Sequence, residues 1–408
     1  MARASTLDPI AVLARDGRAA ARARSGHGYS VEVIGGLADV GRHAAGWKAL
    51  GLSALHGNPV GDAVMVEAAL GHLAKPGTDL RLVLVRRNGP VPILTGAFVF
   101  RLARLRWGVP IAALVPWAHE FGFTSAPLVH RDHARETFTT FFDWLDAEMT
   151  GLPVLFDKLP AEGPLFAALE QFLIASGRRY RLYDRHKRAV LDTAPDAEVW
   201  LADALPSKKR KELRRQRKRL DEMGGLDIVR LGPDGDAAAW CDEFMALEAS
   251  GWKGRGGNPL GNDPALARFV RSALAAEAGD DRLRFWKLAL AGRAVAMTFA
   301  VVRPPQAWLL KIAHDEALAR FSPGVQLMLE VSRDLIADPE IAWIDSCADA
   351  GHPMIDHLWR GRFAVADMLV AGTGGVGFDT LCRLEDLRRM LRARAKGLYR
   401  FVKQGVHR

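Results

Sequence analysis

The spacing of apolar positions along the chain switches between about two and about 3.6 residues, which predicts alternating strands and helices. The predicted order is strand, two helices, hairpin, strand, helix, strand, helix, strand, and it occurs in both halves of the chain. This repeat of element order predicts a tandem duplication of one α/β (α+β) unit. The predicted elements are strand 29–34, helices 37–55 and 63–73, strands 80–85 and 91–100, helix 134–149, strand 152–157, helix 162–176 and strand 178–184 in the first half, and strand 226–231, helices 236–249 and 264–278, strands 282–290, 294–302 and 308–313, helix 322–336, strand 341–346, helix 352–360 and strand 363–370 in the second.

The stretch over residues 307–336 is the most informative one. Residues 308–313 alternate as in a strand, and a polar loop follows them. Ser322, Pro323 and Gly324 then predict a helix start, because serine is a favoured N-cap and proline needs no N–H in the first turn. A helix start behind a strand can present free N–H groups to a phosphate. An ordinary capped core helix fits this stretch equally well when it is taken alone.

The composition is that of a folded protein with a basic surface. The chain has 408 residues, a formal net charge of +9 and 49% hydrophobic residues. The charge favours an anionic partner such as a nucleotide cofactor, a lipid phosphate, a membrane surface or a nucleic acid. Three widely spaced cysteines and the lack of a long apolar run favour a reducing, cytoplasmic location. Residues 1–28 are expected to form a flexible basic tail.

Two helices with a high density of basic residues are predicted outside the repeated units. Residues 198–223 read as a basic linker helix, for which a solvated surface helix, a positive wall beside a cleft and a nucleic-acid patch are the alternatives. Residues 378–408 read as a basic amphipathic helix that packs on the domain or contacts an anionic membrane. The basic patch consists of Lys208, Arg210, Arg214 and Arg215, and the apolar stripe of the C-terminal helix consists of Leu381, Leu384, Leu387, Met390 and Leu391.

A family resemblance rests on Lys311, the pair Asp315-Glu316 and the helix start at residues 322–324. Together they resemble the acyl-CoA strand–loop–helix of GNAT-type acetyltransferases of the CelD/BcsL (cellulose-biosynthesis) kind, which are related in fold to Fem-type peptidoglycan aminoacyltransferases. The resemblance is clear over residues 198–370 and looser over residues 29–185. It departs from the usual GNAT phosphate signature, because Arg320 lies one residue too far from Gly324 and Gln326 replaces a small residue.

The resemblance implies a tandem GNAT-like fold with two mixed sheets flanked by helices. Its parts would be an N-terminal GNAT-like half over residues 29–190, the linker helix, an acyltransferase half over residues 224–371 and the C-terminal helix. The donor would be acetyl-CoA or another acyl-CoA, and the acceptor a small-molecule or saccharide amine. Acyl transfer of this kind needs no covalent nucleophile, and neither a G-x-S-x-G motif nor a metal-ligand spacing is present.

The resemblance also predicts roles for individual residues. Asp345 ends an apolar strand, where burial would raise its pKa and make it a candidate general base, with Lys311 and Asp315 as the other catalytic candidates. Tryptophan beside flexible cations would suit a sugar ring or an anionic acceptor. The predicted donor-binding residues are Ile312, Ala313, Arg320, Ser322, Gly324, Val325 and Gln326, and the predicted acceptor-binding residues are Trp252, Lys253, Arg255, Trp359 and Arg362.

Three functions agree with these features. The first is a cytoplasmic acyl-CoA-dependent N-acyltransferase that acts on an amine of an envelope or exopolysaccharide precursor. The second is Fem-like transfer from aminoacyl-tRNA, which the basic linker helix favours and which is the case in which a nucleic acid would bind. The third is a non-catalytic subunit with this fold, which the altered phosphate signature favours.

Overall fold

The structure is a computed structural model that describes residues 28–117, 119, 121–251 and 260–397 with their side chains. It also describes the backbone of residues 22–24 and 398–405. Within this part of the chain, no helix is both long enough and apolar enough to cross a membrane.

The described strands form one mixed sheet of fourteen strands, in the order β1-β2-β3-β4-β5-β7-β14-β8-β13-β12-β11-β10-β9, with β6 beside β4. Neighbouring strands are antiparallel except for the parallel pairs β5–β7 and β12–β13. The predicted α/β architecture is confirmed, and the two predicted sheets are joined into one. The strands are β1 (Arg22–Arg24), β2 (Tyr29–Ile34), β3 (Leu80–Arg87), β4 (Ile93–Ala103), β5 (Ala113–Pro116), β6 (Leu128–Val129), β7 (Val154–Pro160), β8 (Tyr180–Asp192), β9 (Leu226–Arg230), β10 (Leu283–Leu290), β11 (Arg293–Arg303), β12 (Gln306–His314), β13 (Trp343–Asp345) and β14 (Gly361–Val370).

The two halves are joined because strands cross between them. β14, which comes late in the chain, lies between β7 and β8 of the first half. β8 pairs with β14 and then, at Asp192, Leu191 and Val190, with β13. This explains why β8 runs eight residues past the predicted strand end at residue 184. The predicted boundaries of the two halves, at residues 190 and 224, therefore stay a prediction, because strands of both halves share one sheet.

Helices cover both faces of the sheet. In the second half, apolar residues of α5, α6 and α9 pack on one face and those of α7 and α8 on the other. In the first half, α3 and α4 pack on one face and α1 and α2 on the other. The helices are α1 (Leu37–Ser53), α2 (Ala63–His72), α3 (Ala134–Glu148), α4 (Gly163–Ala175), α5 (Ala197–Ala204), α6 (Ser207–Asp221), α7 (Ala237–Ser250), α8 (Pro264–Gly279), α9 (Pro323–Ala337), α10 (Ile355–Leu358) and α11 (Phe378–Gly405), with 3₁₀ turns at Pro59–Gly61, Arg131–His133, Leu260–Asn262 and Glu316–Phe321.

A buried ion network holds the two halves against each other. Arg303 at the end of β11 donates to Asp62, which precedes α2, with an Nε–Oδ2 distance of 3.0 Å. It also donates to Glu277 of α8, with an Nη2–Oε1 distance of 2.7 Å. All three side chains are almost fully buried. Since a buried charge is costly unless it is paired, the network favours one relative placement of the halves.

The C-terminal helix α11 packs on the domain through its first turns. Leu381, Cys382 and Glu385 are buried, and Glu385 accepts hydrogen bonds from Trp107 and Arg389. Much of the predicted apolar stripe does not pack on the domain, so packing describes only the first turns of the helix and membrane contact stays a prediction. Leu387, Met390 and Leu391 are 47%, 43% and 54% exposed.

Candidate active site

A gap opens in the sheet between β12 and β13. The two strands pair in parallel only from Gln306 and Trp343 to Trp308 and Asp345. β12 continues to His314, and its edge on this side has no further strand partner among the described residues. The register between β11 and β12 also shifts in this region, which is a bulge. Unpaired backbone groups at such an edge are available to a ligand. We call this place the strand gap.

The start of α9 lies at the mouth of the strand gap. Ser322 has a left-handed backbone with φ 54° and its side chain makes no capping hydrogen bond, so the predicted side-chain cap is wrong. Its carbonyl instead accepts from the N–H of Gln326 at 3.0 Å. Because Pro323 has no N–H, the first N–H groups of the helix belong to Gly324 and Val325.

Gly324 is within van der Waals range of two other segments, which places the helix start between them. A Cβ atom on Gly324 would lie 3.4 Å from Nδ1 of His314 and 3.7 Å from Sδ of Met354. His314 ends β12, and Met354 follows β13 along the chain. The first turn of α9 therefore lies against the end of β12 and the loop that follows β13, and His314 is a neighbour that the sequence did not indicate.

Gln326 and Arg320 are placed differently from the other predicted donor-binding residues. The Gln326 side chain is 2% exposed, and its Nε2 donates to the Leu213 carbonyl of α6 at 2.9 Å. Its amide thus holds the basic helix against α9, which corrects the expectation that it faces a donor. Arg320 is exposed on the turn before α9, with its guanidinium 4.7 Å from the ring of Phe321.

Asp345 is enclosed, which corrects the expectation that it faces an open cleft. Its side chain is 0% exposed, and its Oδ2 accepts from Nη2 of Arg188 at 2.5 Å. Its Oδ1 accepts from the N–H of Cys347 at 2.9 Å. Burial raises the pKa of Asp345, while the guanidinium of Arg188 opposes the rise. Each oxygen thus accepts a hydrogen bond from the protein, and the carboxylate is closed off from solvent in this conformation. Its role as a base stays a prediction.

Lys311 and Asp315 lie at different edges of the site. The Lys311 ammonium is 5.4 Å from the ring of Phe121, on the face of the sheet that carries α7 and α8. Asp315 accepts from Arg293 at 2.8 Å and from the N–H of Ala317 at 3.0 Å. Asp315 therefore caps the 3₁₀ turn before α9, and its carboxylate is already paired.

Trp359 and Arg362, the acceptor-binding residues predicted near the C-terminus, both form hydrogen bonds within the protein. Trp359 is fully buried in the core, and its Nε1 donates to Ser332 of α9 at 2.9 Å. Arg362 donates to the carbonyls of Trp359 at 2.7 Å and of Asp356 at 3.1 Å, which closes the turn after α10. The burial of Trp359 corrects its expected role, whereas Arg362 is exposed and its role as an acceptor-binding residue stays a prediction. Trp252, Lys253 and Arg255 lie outside the described residues.

The first half of the chain supplies residues that sequence reasoning missed. Val60 and Phe123 pack against Trp308 at the base of the strand gap. Arg188 of β8 donates to the Phe123 carbonyl at 2.8 Å as well as to Asp345. Phe123 lies in the stretch from residue 101 to 133, where the apolar positions have no clear period and predict no helix or strand. The strand gap is therefore lined by both halves.

The matching gap of the first half is closed. β5 and β7 are also parallel and pair only at Leu114 and Val154. Ser125 bridges to β7, since its N–H donates to the Asp157 carbonyl at 3.0 Å and its Oγ accepts from the Asp157 N–H at 2.7 Å. Among the described residues, the edge of β7 is thus occupied by Ser125, whereas the corresponding edge of β12 has no such partner.

The residues at the strand gap suit direct transfer of a group from donor to acceptor, without a covalent intermediate on the protein. Burial raises the pKa of the Cys347 thiol well above its usual value, so the thiol is protonated and a poor nucleophile at neutral pH. Within the described ranges, no group of three or more His, Cys, Asp or Glu side chains could hold a metal ion. What the site does offer is backbone N–H groups at a helix start and a strand edge.

Comparison with known proteins agrees with this geometry. Residues 207–352 match the family model described as "Acetyltransferase (GNAT) domain". This stretch is similar to a GNAT acetyltransferase domain. It runs from α6 through the strand gap and α9 to the loop after β13. No curated protein matches the chain, and membership of the CelD/BcsL family stays a prediction.

Two solved structures share the fold of the whole chain. The crystal structure of FemX has 11% sequence identity and a TM-score of 0.52, with 80% of this chain and 95% of that chain covered. The C-terminal domain of an Agrobacterium fabrum protein, assigned as a lysylphosphatidylglycerol synthetase, has 11% identity and a TM-score of 0.51, with 86% and 96% covered. At this identity the likeness concerns the fold. The expected relation to the Fem-type fold is thereby confirmed.

Proposed function

We propose that the chain is a cytoplasmic N-acyltransferase that binds acetyl-CoA or another acyl-CoA in the strand gap and acylates an amine of an envelope or exopolysaccharide precursor. The observation that carries this proposal is the position of the α9 start at the mouth of the strand gap, within the GNAT domain. The N–H groups of Gly324 and Val325 would receive the donor pyrophosphate. The edge of β12 near Ile312 and Ala313 would direct an N–H at the thioester carbonyl.

The transfer needs no covalent enzyme intermediate. The amine nitrogen attacks the thioester carbon, the carbon–sulfur bond breaks, and the amine proton ends on the leaving thiolate or on solvent. An acceptor approaching from the face of the sheet that carries Lys311 and Phe121 meets a cation beside an aromatic ring, which suits an anionic or saccharide group.

Substitution of Gly324 tests the donor site. Gly324→Glu would place a carboxylate at the helix start, where an anion contributes about 0.3–1 kcal/mol per charge and up to ~2 when partly buried. We expect acetyl-CoA affinity, measured by titration calorimetry, to fall at least about tenfold. Gly324→Ala is the matched variant that should bind normally, because its Cβ would make ordinary contacts at 3.4 and 3.7 Å. Gly41→Glu, on an open face of α1, controls for an added charge on a helix. Unchanged affinity in folded Gly324→Glu would refute the site.

A specific observation favours aminoacyl-tRNA as the alternative donor. Several cations of α6 are exposed, among them Lys208, Arg214 and Arg215 of the predicted basic patch. Cations that neutralise phosphates give nucleic-acid binding a steep salt dependence. Excess absorbance at 260 nm in the purified protein, together with salt-dependent binding of charged tRNA and no binding of acetyl-CoA, would favour this donor over acyl-CoA.

Peripheral membrane contact belongs to the same proposal. It is supported by the outward apolar side chains of α11, and it would bring the site close to a membrane-bound acceptor.

A further inference from the structure

A cavity of about 170 Å³ lies between α5, α6 and α9, on the outer side of α9 from the sheet. Its apolar lining comes from Leu201, Leu205, Leu213 and Leu329. The hydrogen bond from Gln326 to the Leu213 carbonyl fixes α6 beside the first turn of α9. The cavity therefore has a defined shape, and it begins at the same turn of α9 that faces the strand gap.

Four arginines line this cavity, and they are not equally paired. Arg217 lies 3.1 Å from Glu330, and Arg333 lies 3.2 Å from the same carboxylate. Among the described residues, no carboxylate lies within 4.0 Å of Arg210 or Arg214. The Nε of Arg210 is buried and has no hydrogen-bond partner in the protein. Arg210 as a whole is partly exposed, and the lining also contains Glu198 and Glu330. The two guanidinium groups without a carboxylate partner at the wall of the cavity nevertheless favour an anion there.

The placement of basic residues on α6 also favours an anion in this cavity. The first turns of α6 contain Lys208, Lys209, Arg210 and Lys211 and no acidic residue in the first turn. Cations at a helix start are opposed by the helix dipole, which favours anions there. Lys209 is paired with Glu212 on the same helix at 3.2 Å. An anion near the other cations would be attracted by both the side chains and the dipole.

We infer that this cavity binds a phosphate group of the nucleotide end of the acyl donor, held by Arg210 and Arg214. Guanidinium groups match phosphate oxygens with paired hydrogen bonds, and phosphate is the anion that both a coenzyme A and a tRNA terminus carry. The apolar lining would lie against the nucleoside. The source of the phosphate rests on the proposed function, while the site itself rests on the cavity.

Calorimetry with coenzyme A and 3′-dephospho-coenzyme A tests the site directly. The wild-type protein should bind coenzyme A at least about tenfold more tightly than the dephosphorylated form, as expected for charge-assisted hydrogen bonds. Arg210→Met and Arg214→Met should reduce this preference to within about twofold and leave the affinity for the dephosphorylated form unchanged. Arg215→Met, an exposed cation of the same helix outside the cavity, should keep the preference.

The possible failures are distinguishable. If the wild type binds both forms equally, the cavity does not hold the 3′-phosphate and the inference is overturned, while the proposed function stands. If neither form binds, the acyl-CoA function fails, and inorganic phosphate becomes the probe. A rise in melting temperature with phosphate that is lost in Arg210→Met and kept in Arg215→Met would then support the cavity as a phosphate site for another donor. The same rise in all three proteins, or none in the wild type, would overturn it.

Discussion

At the scale of single residues, Arg188 and Asp345 form a fully enclosed ion pair that links β8, β13 and the loop containing Phe123. Removing one partner of a buried pair leaves the other charge uncompensated, which typically costs about 3–5 kcal/mol. Substitutions in this pair can therefore distinguish a catalytic role of Asp345 from a structural one.

Asp345→Asn keeps the shape and removes the charge. We expect the free energy of unfolding to fall by about 3 kcal/mol or more, because Arg188 remains buried without a counter-charge. A double variant, Arg188→Met with Asp345→Leu, should recover a large part of this loss. The measurement is chemical denaturation at neutral pH. Asp349→Asn is the matched control, because Asp349 is 92% exposed and should change stability by less than about 0.5 kcal/mol.

A loss of turnover without a loss of stability would instead support the role of general base predicted for Asp345. A variant Asp345→Asn with wild-type stability and intact donor binding, but with turnover lowered by about 100- to 10,000-fold, would identify the carboxylate as the base.

At the scale of elements, α11 has exposed apolar side chains, and beyond Asp386 its charged residues are all basic. Leu387, Met390 and Leu391 are exposed, and residues 387–408 contain eight Lys and Arg and no Asp or Glu. Two such helices from separate copies would repel each other, whereas an anionic bilayer offers both an apolar layer and negative charge. The charge pattern thus favours a membrane surface over self-association.

Replacing Leu387, Met390 and Leu391 together by serine should weaken binding to phosphatidylglycerol-containing vesicles. We expect a loss of at least about tenfold, because partial burial of three such side chains contributes more than ~1.4 kcal/mol. Vesicle co-sedimentation at low and high salt measures the effect, and wild-type binding should decrease with salt. Val91→Ser, at an exposed site on the β3–β4 turn, is the control. Dimer formation without vesicle binding would contradict this prediction.

At the scale of the whole molecule, the two halves meet in a buried interface that contains a neutral histidine. His56, which follows α1, stacks on Phe363 of β14 at 5.7 Å and lies 6.1 Å from Trp343 of β13. Burial and the nearby Arg188 lower the pKa of His56 to about 3. The unfolded chain takes up a proton on this side chain near pH 6.5, whereas the folded protein does not.

Stability should therefore fall as the pH decreases from about 6.5 toward 3, with a contribution from His56 of up to about 1.4 kcal/mol per pH unit. His56→Phe keeps the stacking and should remove this contribution, so the slope of unfolding free energy against pH should become shallower by about one proton. Denaturation between pH 5 and 7 measures the slopes. His357→Gln, at an exposed position, should leave the slope unchanged. Equal slopes in all three proteins would show that His56 is protonated in the folded state.

The sequence by itself determined the local features of this protein. Apolar periodicity predicted most elements and their order, and the Ser322-Pro323-Gly324 start of α9 was correctly placed, because spacing and backbone preference act within a few residues. The basic helix was predicted for the same reason, but the single helix expected over residues 198–223 is divided into α5 and α6 at Leu205 and Pro206, since proline has no N–H to continue a helix. The three-residue β13 and the four-residue α10 were predicted too long, since their ends depend on neighbouring segments.

Tertiary structure decided which of the predicted polar and aromatic residues face the strand gap. Arg188 pairs with Asp345 across 157 positions of the chain, and Gln326 bonds to Leu213 across 113. Trp359 resembled a binding residue in the sequence, yet it is core because α9 covers it. The energy of a buried polar group depends on whether a partner reaches it, and that partner comes from a distant strand or helix. Local sequence thus determines the order of the elements. Contacts formed only in the folded chain determine the insertion of β14 between β7 and β8 and the lining of the site.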